Sequence, residues 1–174
     1  MRVFCQDESR LGLHVPVRRR LTGYGVKPIQ VVEPLYAYYW LYAAVEPTTG
    51  EAFWWELPRL DADCFSVFLW QFGQDDAESL NIVLLDQAPA HVAQRIEVPE
   101  NVVLVWFPAY SPELNPVERL WEDLKRRIDV LHGQVRSSLR ALQEHVAGLV
   151  QRYSAATIAS LTGYAYLVEA IYAL

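Results

Sequence analysis

The sequence predicts a mixed α/β domain: a central sheet flanked by helices, with a helical C-terminal part. Strand-like runs and a single helical pattern alternate up to Phe107. From Asn115 onward the apolar spacing is helical throughout. Between these regions, Asn81–Leu85 is a short, continuous apolar run that ends abruptly in Asp86, as in a strand buried on both faces.

The elements follow in order. Met1–Gln6 reads as a strand beginning almost at the first residue, with Val3, Cys5 and Asp7 on one side and Phe4, Gln6 and Glu8 on the other. Tyr36–Val45 and Ala52–Leu57, joined by Pro47-Thr48-Thr49-Gly50, read as a β-hairpin with aromatic and β-rich arms. Asp61 or Asp63 suits the N-cap of a helix whose Phe65, Phe68, Leu69 and Phe72 share a face. After Asn81–Leu85 comes a loop or short helix, then a strand over Val102–Phe107. Val117, Leu120, Trp121, Leu124, Ile128 and Leu131 fall on one helical stripe, and Leu139, Leu142, Val146, Leu149, Val150 and Tyr153 on a second. A third helical segment, with Leu167, Ile171 and Tyr172, breaks near Gly163.

With 174 residues, 52% of them hydrophobic and 21% charged, the chain has enough material for one domain with a real core and is not disordered. The expectation is therefore a single domain over residues 1–174. Two cysteines make no disulfide framework, no signal peptide opens the chain, and no apolar window suits a membrane span. A cytoplasmic protein without membrane contact is expected. The net charge of −6 argues by itself against a nucleic-acid partner, but the charge is uneven. Residues 1–30 carry a local +4, residues 119–140 a local +3, and residues 31–80 a local −8. Arg18, Arg19, Arg20 and Lys27 in the first stretch, and Lys125, Arg126 and Arg127 in the second, are candidate phosphate contacts; solvated faces are the alternative.

Three carboxylates stand at predicted element ends: Asp7 after the first strand, Asp86 after the buried strand, and Glu118 in the first turn of a helix. Three prolines between Pro108 and Pro116 stiffen the approach to Glu118. Hard oxygen donors without His or Cys partners suit Mg²⁺ or Mn²⁺. Two such ions would clamp the attacking and leaving oxygens of a phosphoryl displacement, with water or a 3′-hydroxyl as nucleophile. Each acid also has a structural reading. Asp7 is a polar strand end, Asp86 a turn residue, and Glu118 the capping-box glutamate of a helix with Asn115 at N-cap and Pro116 at N1.

Ser111-Pro112-Glu113-Leu114-Asn115-Pro116-Val117-Glu118 with Trp121 resembles the third-acid motif of the IS630/Tc1/mariner DDE transposase superfamily, most closely its IS630 branch. Gln6-Asp7-Glu8-Ser9 resembles the first-acid motif and Leu84-Leu85-Asp86-Gln87-Ala88-Pro89-Ala90-His91 the second. Arg19–Pro28 is similar to the family's Arg-x-Trp-x-x-x-Gly-x-x-Pro segment, with Leu21 at the usual Trp, and Gln87 stands where Asn is usual. The resemblance implies an RNase H-like fold, two Mg²⁺ or Mn²⁺ ions, and Asp7, Asp86 and Glu118 as both the catalytic and the metal-binding acids. It also implies His91 near the site, touching a DNA phosphate, with a solvated loop histidine as the alternative.

The implied activity is phosphodiester cleavage at transposon ends followed by strand transfer into target DNA. A nuclease without strand transfer and a non-catalytic assembly module are the competing expectations. The implied partners are transposon-end and target DNA and a second copy in an active homodimer. The family's N-terminal helix-turn-helix region is expected to be absent here and supplied by a partner chain or a missing segment.

Overall fold

The protein was examined as a computed structural model that describes residues 1–13, 23–26, 36–130 and 138–173. Five strands form one sheet in the order β3-β2-β1-β4-β5, with β1 Arg2–Gly12, β2 Tyr38–Val45, β3 Ala52–Leu57, β4 Asn81–Leu85 and β5 Val102–Trp106. The first three strands pair antiparallel, Cys5 opposite Val45 and Trp40 opposite Leu57, whereas β4 and β5 join parallel, Cys5 beside Leu84 and Leu85 beside Trp106. Helix α1 (Ala62–Asp75) makes the crossover to β4, and α2 (Val117–Val130), α3 (Leu139–Val150), α4 (Ala155–Thr162) and α5 (Ala165–Tyr172) follow the sheet.

Strand alternation sends alternate residues into two separate cores. On one face Phe4, Tyr42, Val83 and Leu85 meet Phe65, Phe68, Leu69 and Phe72 of α1. On the other, Cys5, Leu41, Ala43 and Val45 meet Leu120, Trp121 and Leu124 of α2, together with Leu142, Val146, Ile158 and Leu167. Fully burying each of these large side chains stabilises the fold by about 1.5–3 kcal/mol. Cys5 and Cys64 are both free and buried.

Capping residues set the helix starts. Asp61 caps α1 by accepting from Cys64 N at 2.9 Å, Ser138 caps α3, and Ser154 caps α4. The hairpin closes as expected: Gly50 has φ 76°, and a Cβ there would lie 1.9 Å from Ala155 O, so only glycine fits between the turn and α4. The edge strand β5 is covered unevenly, with Val103, Val105 and Trp106 all exposed.

Two elements differ from expectation. β1 runs on to Gly12, because β2 pairs with it down to Gly12 opposite Tyr38. Asp7 therefore lies in mid-strand and not at a strand end. The segment between β4 and β5, expected as a loop or short helix, is a loop of turns. A 3₁₀ turn, Pro112–Leu114, precedes α2. The expected stripe residue Leu131 lies outside the described residues.

Candidate active site

Asp7 points from the middle of β1 toward α2. There the indole Nε1 of Trp121 donates to Asp7 Oδ2 at 2.9 Å. Trp121 is itself buried, three residues beyond Glu118 on the same helix. Burial pushes the Asp7 carboxyl well above the ordinary carboxylate range, and the charges of Glu8 and Glu118 add to it; the indole pulls the other way and loses. Asp7 thus sits in excess negative potential, sharing a field with Glu118.

The junction before α2 is clamped by one side chain. Asn115 Nδ2 donates to Gln6 O at 2.8 Å, tying the helix start to the strand position beside Asp7. Its Oδ1 accepts from Val117 N at 3.2 Å, which is the N-capping role expected of it. Its own N–H donates to Pro112 O at 2.9 Å, so the bond a capping-box glutamate would make is already taken. Glu118 instead lies exposed on a cleft with Pro112, Glu113, Asn115, Arg119, Glu122 and Tyr164. Across that cleft Arg119 stands over the Tyr164 ring, 4.8 Å from its centre.

Asp86 follows β4 directly, and its side chain is 54% exposed. Asp86 Oδ1 accepts from Ala88 N at 3.0 Å and lies 2.6 Å from His91 Nδ1. The other ring nitrogen of His91, Nε2, is 2.9 Å from Glu8 Oε1, which also accepts from Gln6 Nε2 at 2.7 Å. Burial opposes a charge on His91, but the two carboxylates outweigh it and raise the ring to about 10, so it bridges them as a cation at neutral pH. The same contact holds Asp86 below the usual carboxylate range. His91 is 1% exposed, its ring centre 4.5 Å from that of Phe65. Both sequence expectations for His91 are therefore corrected: it is neither a solvated loop residue nor turned toward a DNA phosphate, because both its nitrogens are engaged inside the protein.

Asp86 opens onto a second cleft of about 440 Å³, walled by Gln87, Phe107, Tyr110, Pro112 and Asn115. The two clefts share Pro112 and Asn115, and Asn115 is bonded to the residue next to Asp7. All three acids thus border the same junction, Asp7 and Glu118 within one field and Asp86 drawn aside by His91. Among the described residues no three His, Cys, Asp or Glu side chains are gathered closely enough to hold a metal ion. The donor set nevertheless suits a hard divalent cation: it is all oxygen, and Asp7, half-buried, feels the charges of Glu8 and Glu118.

The basic candidates divide. Arg18, Arg19, Arg20 and Lys27 lie outside the described residues. Lys125 is exposed on α2. Arg126 and Arg127 both pair with Asp123, which also accepts from Tyr153 Oη at 2.6 Å. Two of the three candidate cations on α2 are therefore paired within that helix, although both remain partly exposed.

Sequence reasoning missed three contributors. Glu8 and Trp121 entered as members of the acid motifs, as a polar strand residue and part of an apolar stripe, and Asn115 as a cap, none with its contact to the site. The available signals were a carboxylate in a strand that turns out to be central, and a tryptophan, whose N–H needs a partner once buried.

A family model described as DDE superfamily endonuclease matches residues 2–139. An uncharacterised protein of Sinorhizobium fredii, y4pE/y4sA, is 36% identical over 87 residues, 49% of this chain and 64% of that protein. Among solved structures, the Mos1 mariner paired-end complex with Mn superposes with a TM-score of 0.72 at 17% identity, covering 93% of this chain and 52% of that one. The catalytic core domain of BIV integrase superposes at 0.50 with 19% identity, covering 87% and 85%. The chain thus spans less than two thirds of the curated relative and about half of the Mos1 chain. The fold is RNase H-like. No helix among the described residues is long and apolar enough to cross a membrane.

Proposed function

Because the chain belongs to the DDE superfamily endonucleases, we propose that it cuts phosphodiester bonds at the ends of a mobile DNA element and joins the freed 3′-hydroxyl to target DNA. Asp7, Asp86 and Glu118 are its acid triad. The observation that carries this reading is the half-buried Asp7, held by Trp121 on the helix that brings Glu118 into its field. A carboxyl kept in negative potential in mid-sheet is costly unless a cation is to be received there.

One or two divalent ions held by these carboxylates would stabilise charge on the attacking and leaving oxygens. Around them, the protein's own work is positioning. Trp121 fixes the orientation of Asp7, Asn115 fixes the start of α2 against β1, and His91 restrains Asp86. The exposed faces of Asp86 and Glu118 leave room for a DNA strand between the clefts. The DNA partners, the homodimer and a separately supplied helix-turn-helix region belong to the same proposal, and the mobile-element ends are its substrate.

The test pairs a thermal melt with a cleavage assay. Mg²⁺ or Mn²⁺ is expected to raise the melting temperature of the parent protein, and Asp86→Asn to abolish that rise. An unchanged rise in Asp86→Asn refutes the site. In the cleavage assay Glu118→Gln is expected to lose activity at least 100-fold while folding normally; full activity in that variant would reduce Glu118 to a structural residue. A substrate with a pre-cut end then separates strand transfer from hydrolysis alone.

A further inference from the structure

Among the described non-glycine residues, Tyr110 alone has positive φ, at 59°. The left-handed region disfavours any side chain with a β-carbon and is a genuine outlier for a bulky one. Packing does not explain the conformation. Tyr110 is 101% exposed, and no hydrogen bond or ring contact among the described residues engages its side chain. The ring is held out by a short segment between Pro108 and Pro112, and the residue forms part of the cleft wall beside Asp86. An exposed aromatic face, bare on both sides and next to an acid of the proposed DNA-cutting site, has the chemistry of a base-stacking platform.

We propose that Tyr110 is a substrate-binding residue that stacks an unpaired DNA base adjacent to the bond to be cut, holding the frayed strand end against the Asp86 cleft. The inference rests on the nuclease reading above. Stacking on a ring face is sequence-tolerant, because every base offers a π face. Tyr110 therefore contributes affinity for a frayed end and no choice of sequence.

The experiment measures binding of two labelled duplexes in EDTA, so that cleavage does not intervene. One carries three unpaired 3′ nucleotides and the other three abasic units in the same places. The parent protein and Tyr110→Phe should prefer the base-bearing end by about tenfold, as expected for one base on one ring. Tyr110→Gly, which accepts positive φ freely, and Tyr110→Asn, which tolerates it, should bind both ends equally while melting no lower than the parent.

A preference retained in Tyr110→Gly or Tyr110→Asn overturns the proposal, and so does a preference lost in Tyr110→Phe. A parent protein that does not discriminate between the two ends overturns it as well. Metal-dependent cleavage of plasmid DNA by the parent is read separately. If cleavage is present and the preference absent, only the role of Tyr110 falls; if cleavage is also absent, the nuclease reading falls with it.

Discussion

The two halves of the acid site solve opposite electrostatic problems. On the α2 side of the sheet, Asp7 is half-buried with a neutral indole as its hydrogen-bond donor, and its carboxyl is pushed up. On the α1 side, Asp86 is half in solvent beside a buried histidine cation, and its carboxyl is held down. Neighbouring residues of β1 serve the two halves, Asp7 on one face and Glu8 on the other. A single strand therefore carries a carboxylate that lacks a cation back to back with one that already has it. The first half lacks a cation, and the second holds one between two carboxylates.

The largest effect is expected from breaking the histidine-bridged half. His91→Ala leaves the Glu8 side chain, 4% exposed, without its cation and should cost about 3–5 kcal/mol by chemical denaturation. A loss under 1 kcal/mol would mean that the bridge is not charged. On the other side, Trp121→Phe keeps the packing ring and removes one hydrogen bond to a carboxylate, for an expected loss of about 1.5–3 kcal/mol. Nuclease activity should fall further than stability, because Asp7 is then no longer oriented.

A smaller effect concerns the anchoring of α2. Burial opposes ionisation of Asp123, but Tyr153, Arg127 and Arg126 prevail and lower it to about 2 from 3.8. A lowered carboxyl contributes its full stability above pH 3.8 and loses it as the pH falls toward about 2. The gap in urea midpoint between the parent and Asp123→Asn should accordingly be widest near neutrality and close in that acid window. Smallest of all, Arg126→Ala removes a largely exposed partner and should cost about 0–1 kcal/mol.

Much of this was legible in the sequence. The second hairpin strand and Asn81–Leu85 were read with the bounds they have, because turn residues punctuate both. The break at Gly163 and the Asp61 cap were local signals too. β1 was read short because Gln6-Asp7-Glu8-Ser9-Arg10 looks like a strand running out into solvent, whereas Gln6 and Ser9 are buried. β2 pairs alongside both, a contact that no local pattern reveals. For His91, residue type and a loop position suggested exposure; only the fold shows Phe65 beneath it and Glu8 beyond it.

The parallel pairing of β1 with β4 also dictates an order of events during synthesis. β1 leaves the ribosome well before β4, its neighbour Asn81 coming a whole crossover later, and the Trp121 that fastens Asp7 lies 114 residues downstream. Contacts this distant in the chain close slowly and late. Nascent chains that stop short of α2 therefore carry the first acid strand without its buttress, with the polar middle of β1 open to water. Under the proposed function, a fragment released before α2 would lack the fastening of its first acid.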